Sequence, residues 1–355
     1  MDRNYYLNLA AEGLCMPIGA DLILHEHEDA EDILLDGERL GELLKETAHR
    51  FSTPLAVPHM DLELEKTILL NMIGVASENM AKFHFTSAPE PEIFALIMEK
   101  LEMPLMPAMK AQTDAVRYIA TKTDLLPIGM AIGPFSLMTK LVADPITPVC
   151  MAGTGVTADD DGDVGLVEKV LELGLCIILH NIRVQIKAGA KAIFIAEPAA
   201  NKVYFSPNQL ENGSDIFERY VMAYNSRIKA LLDSCGVDLI FHCCGELTNY
   251  MIEQFVKLDP AILSLGCSRK LWEDAALVPK STVLFGNLPS KQFYSDDLIT
   301  VEEILKQGNE LIAKMRCAGH PFILGSECDV LSVPGCHETI MRKSEAIGCG
   351  CMRKH

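Results

Sequence analysis

Positive charge is scarce in this sequence: 31 Lys and Arg stand against 49 Asp and Glu, a net charge of −18 and a pI near 5.0. That balance excludes a general basic face for nucleic acid or anionic membrane, and leaves room for a less acidic or locally basic docking partner. The opening stretch MDRNYYLNLAAEGLCMPIGADLILHEHED has no basic segment followed by a sustained apolar run, so no signal peptide is expected. The most apolar windows, such as GLCIILHNI around 174–182, are too short and interrupted to span a bilayer. A cytoplasmic protein with neither nucleic-acid nor membrane partners is the expectation. Low-complexity linkers, short-period repeats, a G-x-S-x-G elbow and a P-loop are also missing. Gly153-x-Gly155-x-x-Ala158 has the spacing of a dinucleotide fingerprint, but no strand leads into it. Asp159 to Asp161 would repel a pyrophosphate, so the stretch reads as a loop.

What is present is ordinary globular composition, 49% hydrophobic and 23% charged, plus twelve scattered cysteines. In a reducing compartment such thiols are buried residues, metal ligands or catalysts more often than disulfides. Short aliphatic runs recur: 54–60, 81–87, 125–133, 190–197, 237–245, 261–266, 282–288 and 321–328. Each ends in Gly, Pro, Ser, Asn or a charge, as a buried parallel strand does. Amphipathic segments fill the gaps. Leu40, Leu43, Leu44, Ala48 and Phe51 form one stripe, Leu171, Ile178, Ile182 and Ile186 another, and Gly189 stands where that second helix should end. Further helices are expected at 90–102, 109–122, 215–235, 248–257 and 301–319.

Eight strands alternating with helices predict an α/β fold, a (β/α)8 TIM barrel with a helical N-terminal extension. The expected layout is a single domain over 1–355: an extension at 1–50 packed near one barrel mouth, a barrel at 54–345, and a tail at 346–355. Cys349 and Cys351 in that tail read as frayed chain rather than a metal site.

The chemistry concentrates in FHCCGEL, residues 241–247. Side chains at i and i+2 share a strand face, so His242 and Cys244 point one way and Cys243 the other. Gly245 follows at once, placing the pair at the carboxyl end of a strand, where barrel active sites lie. A catalytic zinc takes three protein ligands and keeps a position open, and Cys328 in FILGSECDV offers the third. One imidazole and two thiolates make a set soft enough to select Zn2+ over Mg2+ or Ca2+. On spacing alone, a core histidine with two buried thiols competes evenly with that reading. Glu197, Glu246 and Glu327 are the nearest carboxylate candidates for supporting or fourth-ligand roles, and Asn287 in FGN is similarly placed.

His242-x-Cys244 with a distant Cys328 resembles the zinc motif of cobalamin-dependent methyltransferases in the uroporphyrinogen decarboxylase superfamily, nearest the methylcobamide:coenzyme M methyltransferases. GPFSLMTKL (133–141), AGAKAIFIAEPAAN (188–201), FSPNQL (205–210), FGNLPS (285–290) and GSECDV (325–330) agree in order, so the similarity covers roughly 54–345. The resemblance implies a single TIM barrel and methyl transfer from a methylated corrinoid (methylcobalamin), carried by a partner corrinoid protein, to a small thiol such as coenzyme M. It also implies Zn2+ held by His242, Cys244 and Cys328. Glu197, Glu246 and Asn287 are then the candidate catalytic residues. A sister reading runs the other way, demethylating a small methyl donor such as a methoxylated aromatic. A third is a non-catalytic barrel that binds a tetrapyrrole or corrinoid. Decarboxylation of uroporphyrinogen fits poorly, because the early segment supplies acids where a carboxyl-rich substrate needs arginines.

Overall fold

The computed structural model describes residues 3–351, with side chains as far as residue 348. Eight strands run through it: β1 Cys15–Ile18, β2 Leu55–Ala56, β3 Leu126–Ile132, β4 Ala192–Ala196, β5 Asp238–Cys243, β6 Ile262–Leu265, β7 Val283–Leu288 and β8 Phe322–Asp329. Their hydrogen-bonded order is β1-β8-β7-β6-β5-β4-β3-β2, every ladder parallel. Among the described residues no ladder joins β1 to β2. With helices on the outside this is a TIM-like α/β barrel.

Local chemistry explains the helices. Asp36 accepts from the amides of Glu38 and Arg39 to start Gly37–Arg50, whose Leu40, Leu43, Leu44 and Ala48 are buried. Asp161 starts the long helix Gly162–Ala188 in the same way, and Gly189, at φ 116°, ends it. Thr300 and Glu303 form a reciprocal capping box at the head of Val301–Ala318.

The strand interior is filled by alternate side chains, among them Met16, Ile128, Met130, Phe194, Ile240, Ile262, Phe285 and Ile323. The first helix, Asn4–Glu12, plugs the amino-terminal end. Tyr6 is fully buried in that interior cluster and donates from its hydroxyl to Asp238, the first residue of β5, at 3.0 Å. At the strands' carboxyl ends, Cys244 and Cys328 are partly exposed.

Four expectations change. The segment 1–50 is not only helical: β1 lies within it, too short and too interrupted by Pro17 to show a strand's periodicity. Residues 81–87 form no strand, and Phe85 alone bridges to Val142. The run at 54–60 shrinks to two residues, because Pro54 and Pro58 lack ladder donors. At the other end, His337–Cys351 is helical and runs into the span expected as a tail. Residues 352–355 and the side chains of Cys349 and Cys351 lie outside the described set. No described helix is long and apolar enough to cross a membrane.

Candidate metal centre

His242 sits on β5 two residues beyond Ile240, an interior residue, and so turns into the barrel. It pairs with Ser264 across the β5–β6 ladder. The His242 Nδ1 to Ser264 Oγ distance is 2.8 Å, and Phe194 packs against the ring at a centroid distance of 5.5 Å. These contacts fix the imidazole's orientation. Its other nitrogen, Nε2, is buried and has no hydrogen-bond partner. A buried, unpartnered ring nitrogen costs free energy unless something occupies it.

What it faces is sulfur. The ligand atoms of His242, Cys244 and Cys328 all lie within 4.8 Å of one another, and no other group of three or more His, Cys, Asp or Glu among the described residues comes together this way. Cys243 turns outward into packing and is fully buried, with Sγ 3.7 Å from the Ala200 carbonyl.

Strand alternation alone would not bring Cys328 there. Ile323 belongs to the interior cluster, and a side chain added at Gly325 would meet the Phe285 ring, so odd positions of β8 face inward. The β1–β8 register then slips: Met16 pairs with Gly325, but Ile18 pairs with Asp329. Between these pairs one residue of β1, Pro17, opposes three of β8, a bulge that re-aims side chains at the barrel rim.

The two thiols share a proton. The Cys244 thiol is held well below its usual range, first by the hydrogen bond from Cys328 and then by His242 beside it, against the opposing effect of burial. Cys328 moves the other way, because the same bond and its burial keep the proton on it. One thiolate, one thiol and an unpartnered imidazole nitrogen match a soft divalent ion taking N and S ligands. The donor set fits zinc.

The carboxylates separate by role. Glu197 is fully buried and spends its oxygens on structure. It accepts from the amides of Phe135 and Ser136, at 3.3 and 2.6 Å, and from Asn225 Nδ2 at 2.9 Å. It therefore caps the amino terminus of the helix Pro134–Leu141, with Gly133 leaving room for the carboxylate. Glu246 is exposed and pairs with Lys202 at 2.9 Å. Asn287 donates to the carbonyls of Gly266 and Arg269, at 2.8 and 2.9 Å, and so pins the loop after β6. None of the three is directed at the metal ligands by these contacts. Glu327 stands nearer: it accepts from the Cys267 amide at 3.2 Å and lies 3.9 Å from the Lys291 ammonium. Burial and then Glu327 push the Cys267 thiol up to about 12, which keeps it protonated at neutral pH.

Next to Cys328 in the chain, Asp329 is buried with neither oxygen hydrogen-bonded. Burial, offset in part by His59, pushes its carboxyl up to about 7. His59 Nε2 contacts Asp21 at 3.4 Å, which spans the unpaired β1–β2 seam with side chains. Sequence reasoning missed Ser264, Lys291 and this trio. Only Ser264 carried a signal, as the polar residue inside the otherwise apolar ILSL.

The sequence profile of the uroporphyrinogen decarboxylase (URO-D) family matches residues 55–334. The chain belongs to that family. Within it, similarity runs toward the methyltransferases. Over 137 residues the chain is 26% identical to a methylcobamide:CoM methyltransferase, MtbA, of Methanosarcina mazei. That alignment covers 38% of this chain and 35% of the relative, about a third of its length. A solved methyltransferase from Methanosarcina mazei superposes with a TM-score of 0.67 at 15% identity, over 99% of this chain and 98% of that one. At that identity the likeness shows the fold, and it spans the whole barrel.

Proposed function

We propose that this URO-D family member is a zinc-dependent methyltransferase that moves a methyl group from a methylated corrinoid, carried on a partner protein, to a small thiol. The observation that carries the reading is the convergence of His242 Nε2, Cys244 Sγ and Cys328 Sγ at the barrel mouth, with the nitrogen buried and unpartnered. When bound there, zinc would hold a substrate thiol as its thiolate at neutral pH, the form that is nucleophilic. The protein's own contribution is placement. Ser264 sets the ring so that Nε2 rather than Nδ1 faces the sulfurs. The β8 bulge delivers Cys328, and Cys244 and Cys328 are partly exposed toward an incoming corrinoid. Two cysteinates and one neutral imidazole balance the charge of a divalent ion, so the substrate sulfur keeps its electron density for attack on the methyl carbon. As the new carbon–sulfur bond forms, the carbon–cobalt bond breaks and its electron pair stays on cobalt.

The similarity to a methylcobamide:CoM methyltransferase supports the same chemistry. Decarboxylation of a carboxyl-rich tetrapyrrole finds less support: Arg269, after β6, is already committed to Asp274, the Leu247 carbonyl and Asn249. The test is metal analysis of wild type beside Cys244→Ser, followed by incubation with methylcobalamin and 2-mercaptoethanesulfonate or 2-mercaptoethanol while cobalamin absorbance is recorded. One bound zinc per chain, lost in the variant, together with thiol-dependent demethylation of the cobalamin, is the expected result. A metal-free wild type, or demethylation that ignores both thiol and Cys244, would overturn the proposal.

A further inference from the structure

Ligation by His242 and two cysteinates leaves a divalent metal neutral, so a substrate that arrives as a thiolate brings one uncompensated negative charge. The loops around the site hold several cations, and most are already engaged. Lys202 pairs with Glu246, Lys270 with Glu273, and Arg269 with the buried Asp274. Lys291 differs. It donates no hydrogen bond to any described residue, and the carboxylate it faces, Glu327 Oε2, is 3.9 Å away, beyond a good hydrogen bond. Its turn, Ser290–Gln292, follows β7 directly and is tied to β8 by Ser290 Oγ, which donates to the Cys328 carbonyl at 3.4 Å. The ammonium is thus anchored to the same strand end that carries a metal ligand. Burial weighs against its charge, but Cys244, Glu327, Cys328 and Cys267 together outweigh it and strengthen its hold on the proton. The ammonium therefore lies within the electrostatic field of all three sulfurs.

We propose that Lys291 is the group that compensates the charge of the substrate sulfur once its proton is lost, and so lowers the pH at which a thiol binds. The role rests on the methyltransferase reading above, and it belongs to the reacting sulfur rather than to any anionic tail of the substrate. At this partial exposure, an opposite charge acting on the sulfur gives an effect on the order of tenfold in an equilibrium constant.

The test uses the full-length protein with Co2+ in place of zinc, and two probes, neutral 2-mercaptoethanol and anionic 2-mercaptoethanesulfonate. Binding of each is followed by the cobalt absorption spectrum between pH 5 and pH 9, for wild type, Lys291→Met and Lys291→Arg. The expected result for Lys291→Met is unchanged metal stoichiometry, a binding midpoint moved up by about one pH unit, and an equal shift for both thiols. Lys291→Arg should restore the wild-type midpoint. An unmoved midpoint, or a loss confined to the sulfonate thiol, would overturn the inference while leaving the methyltransferase reading intact. A wild type that binds cobalt but neither thiol at any pH would instead overturn the methyltransferase reading itself.

Discussion

Replacing Glu65 with glutamine should flatten the protein's loss of stability as pH rises from about 5 to about 8. Glu65 lies on the helix Leu64–Met72 and is 1% exposed. It accepts from Asn181 Nδ2 at 2.8 Å. Asn181 in turn accepts from Gln185, and Gln185 bonds both backbone atoms of Met130 on β3. The chain of amides ties two outer helices to the barrel wall. Its weak member is the second oxygen of Glu65, which has no partner. Burial, offset only partly by Asn181, raises this carboxyl from about 4.5 to about 8. The sign follows from linkage: the folded state favours the protonated acid, so the contribution is fully present below pH 4.5 and is lost as pH rises through 8. At about 1.4 kcal/mol per pH unit, the gap between the two values sets a loss on the order of 5 kcal/mol, most of it spent between pH 5 and pH 8. Glutamine copies the protonated acid, with an oxygen for Asn181 and an N–H in place of O–H. Chemical denaturation at fixed ionic strength from pH 5 to pH 9 should give a wild-type curve that falls several kcal/mol more steeply than that of Glu65→Gln. Other buried acids, Asp329 among them, cancel in the difference. Parallel curves would refute the reasoning, because Glu65 would then be ionised in both states or satisfied by a group outside this network.

Other outcomes follow from the same geometry. Ser264→Ala should keep the fold and weaken metal affinity by about 10- to 100-fold, measured by competition with a chelator. Intact affinity would show that the ring needs no such support. His242→Ala should abolish stoichiometric metal and leave the far-UV circular dichroism unchanged, since Phe194 and the interior cluster still fill the barrel. Glu197→Ala should lower stability by about 3 kcal/mol or more, because it strands two buried helix amides and Asn225, whereas Glu246→Ala should stay within about 0.5 kcal/mol. Thermal melts of the two variants side by side would show whether Glu197 is a cap or a reactive group.

Much of the barrel was legible because its central strands are long and buried on both faces. Runs such as AKAIFIAE, VDLIFHCCG and TVLFGNL announce themselves by continuous aliphatic composition, and Gly189 and Thr300 mark helix ends by side-chain chemistry alone. The edges were not legible. Four residues of β1 and two of β2 carry no period to detect, and KFHF looks like a strand yet makes only a single bridge. In the site, His242 and Cys244 followed from two-residue alternation within one strand, a local rule. Cys328 was legible as the cysteine ending the last predicted strand, but its direction was not, because that depends on a slip between β1 and β8, more than 300 residues apart in sequence. The partners of Glu197 were hidden for a related reason: nothing local in FIAEP reveals that a helix terminus from the preceding unit is waiting for its carboxylate.

The β1–β8 pairing has a consequence for how the molecule is made. β1 leaves the ribosome about 300 residues before its one ladder partner, β8, and β2 offers it none. Until then the amino-terminal segment has no edge to dock on. The register that delivers Cys328 is therefore set in the last act of folding, so metal capture should report completion of the cylinder rather than accompany its assembly.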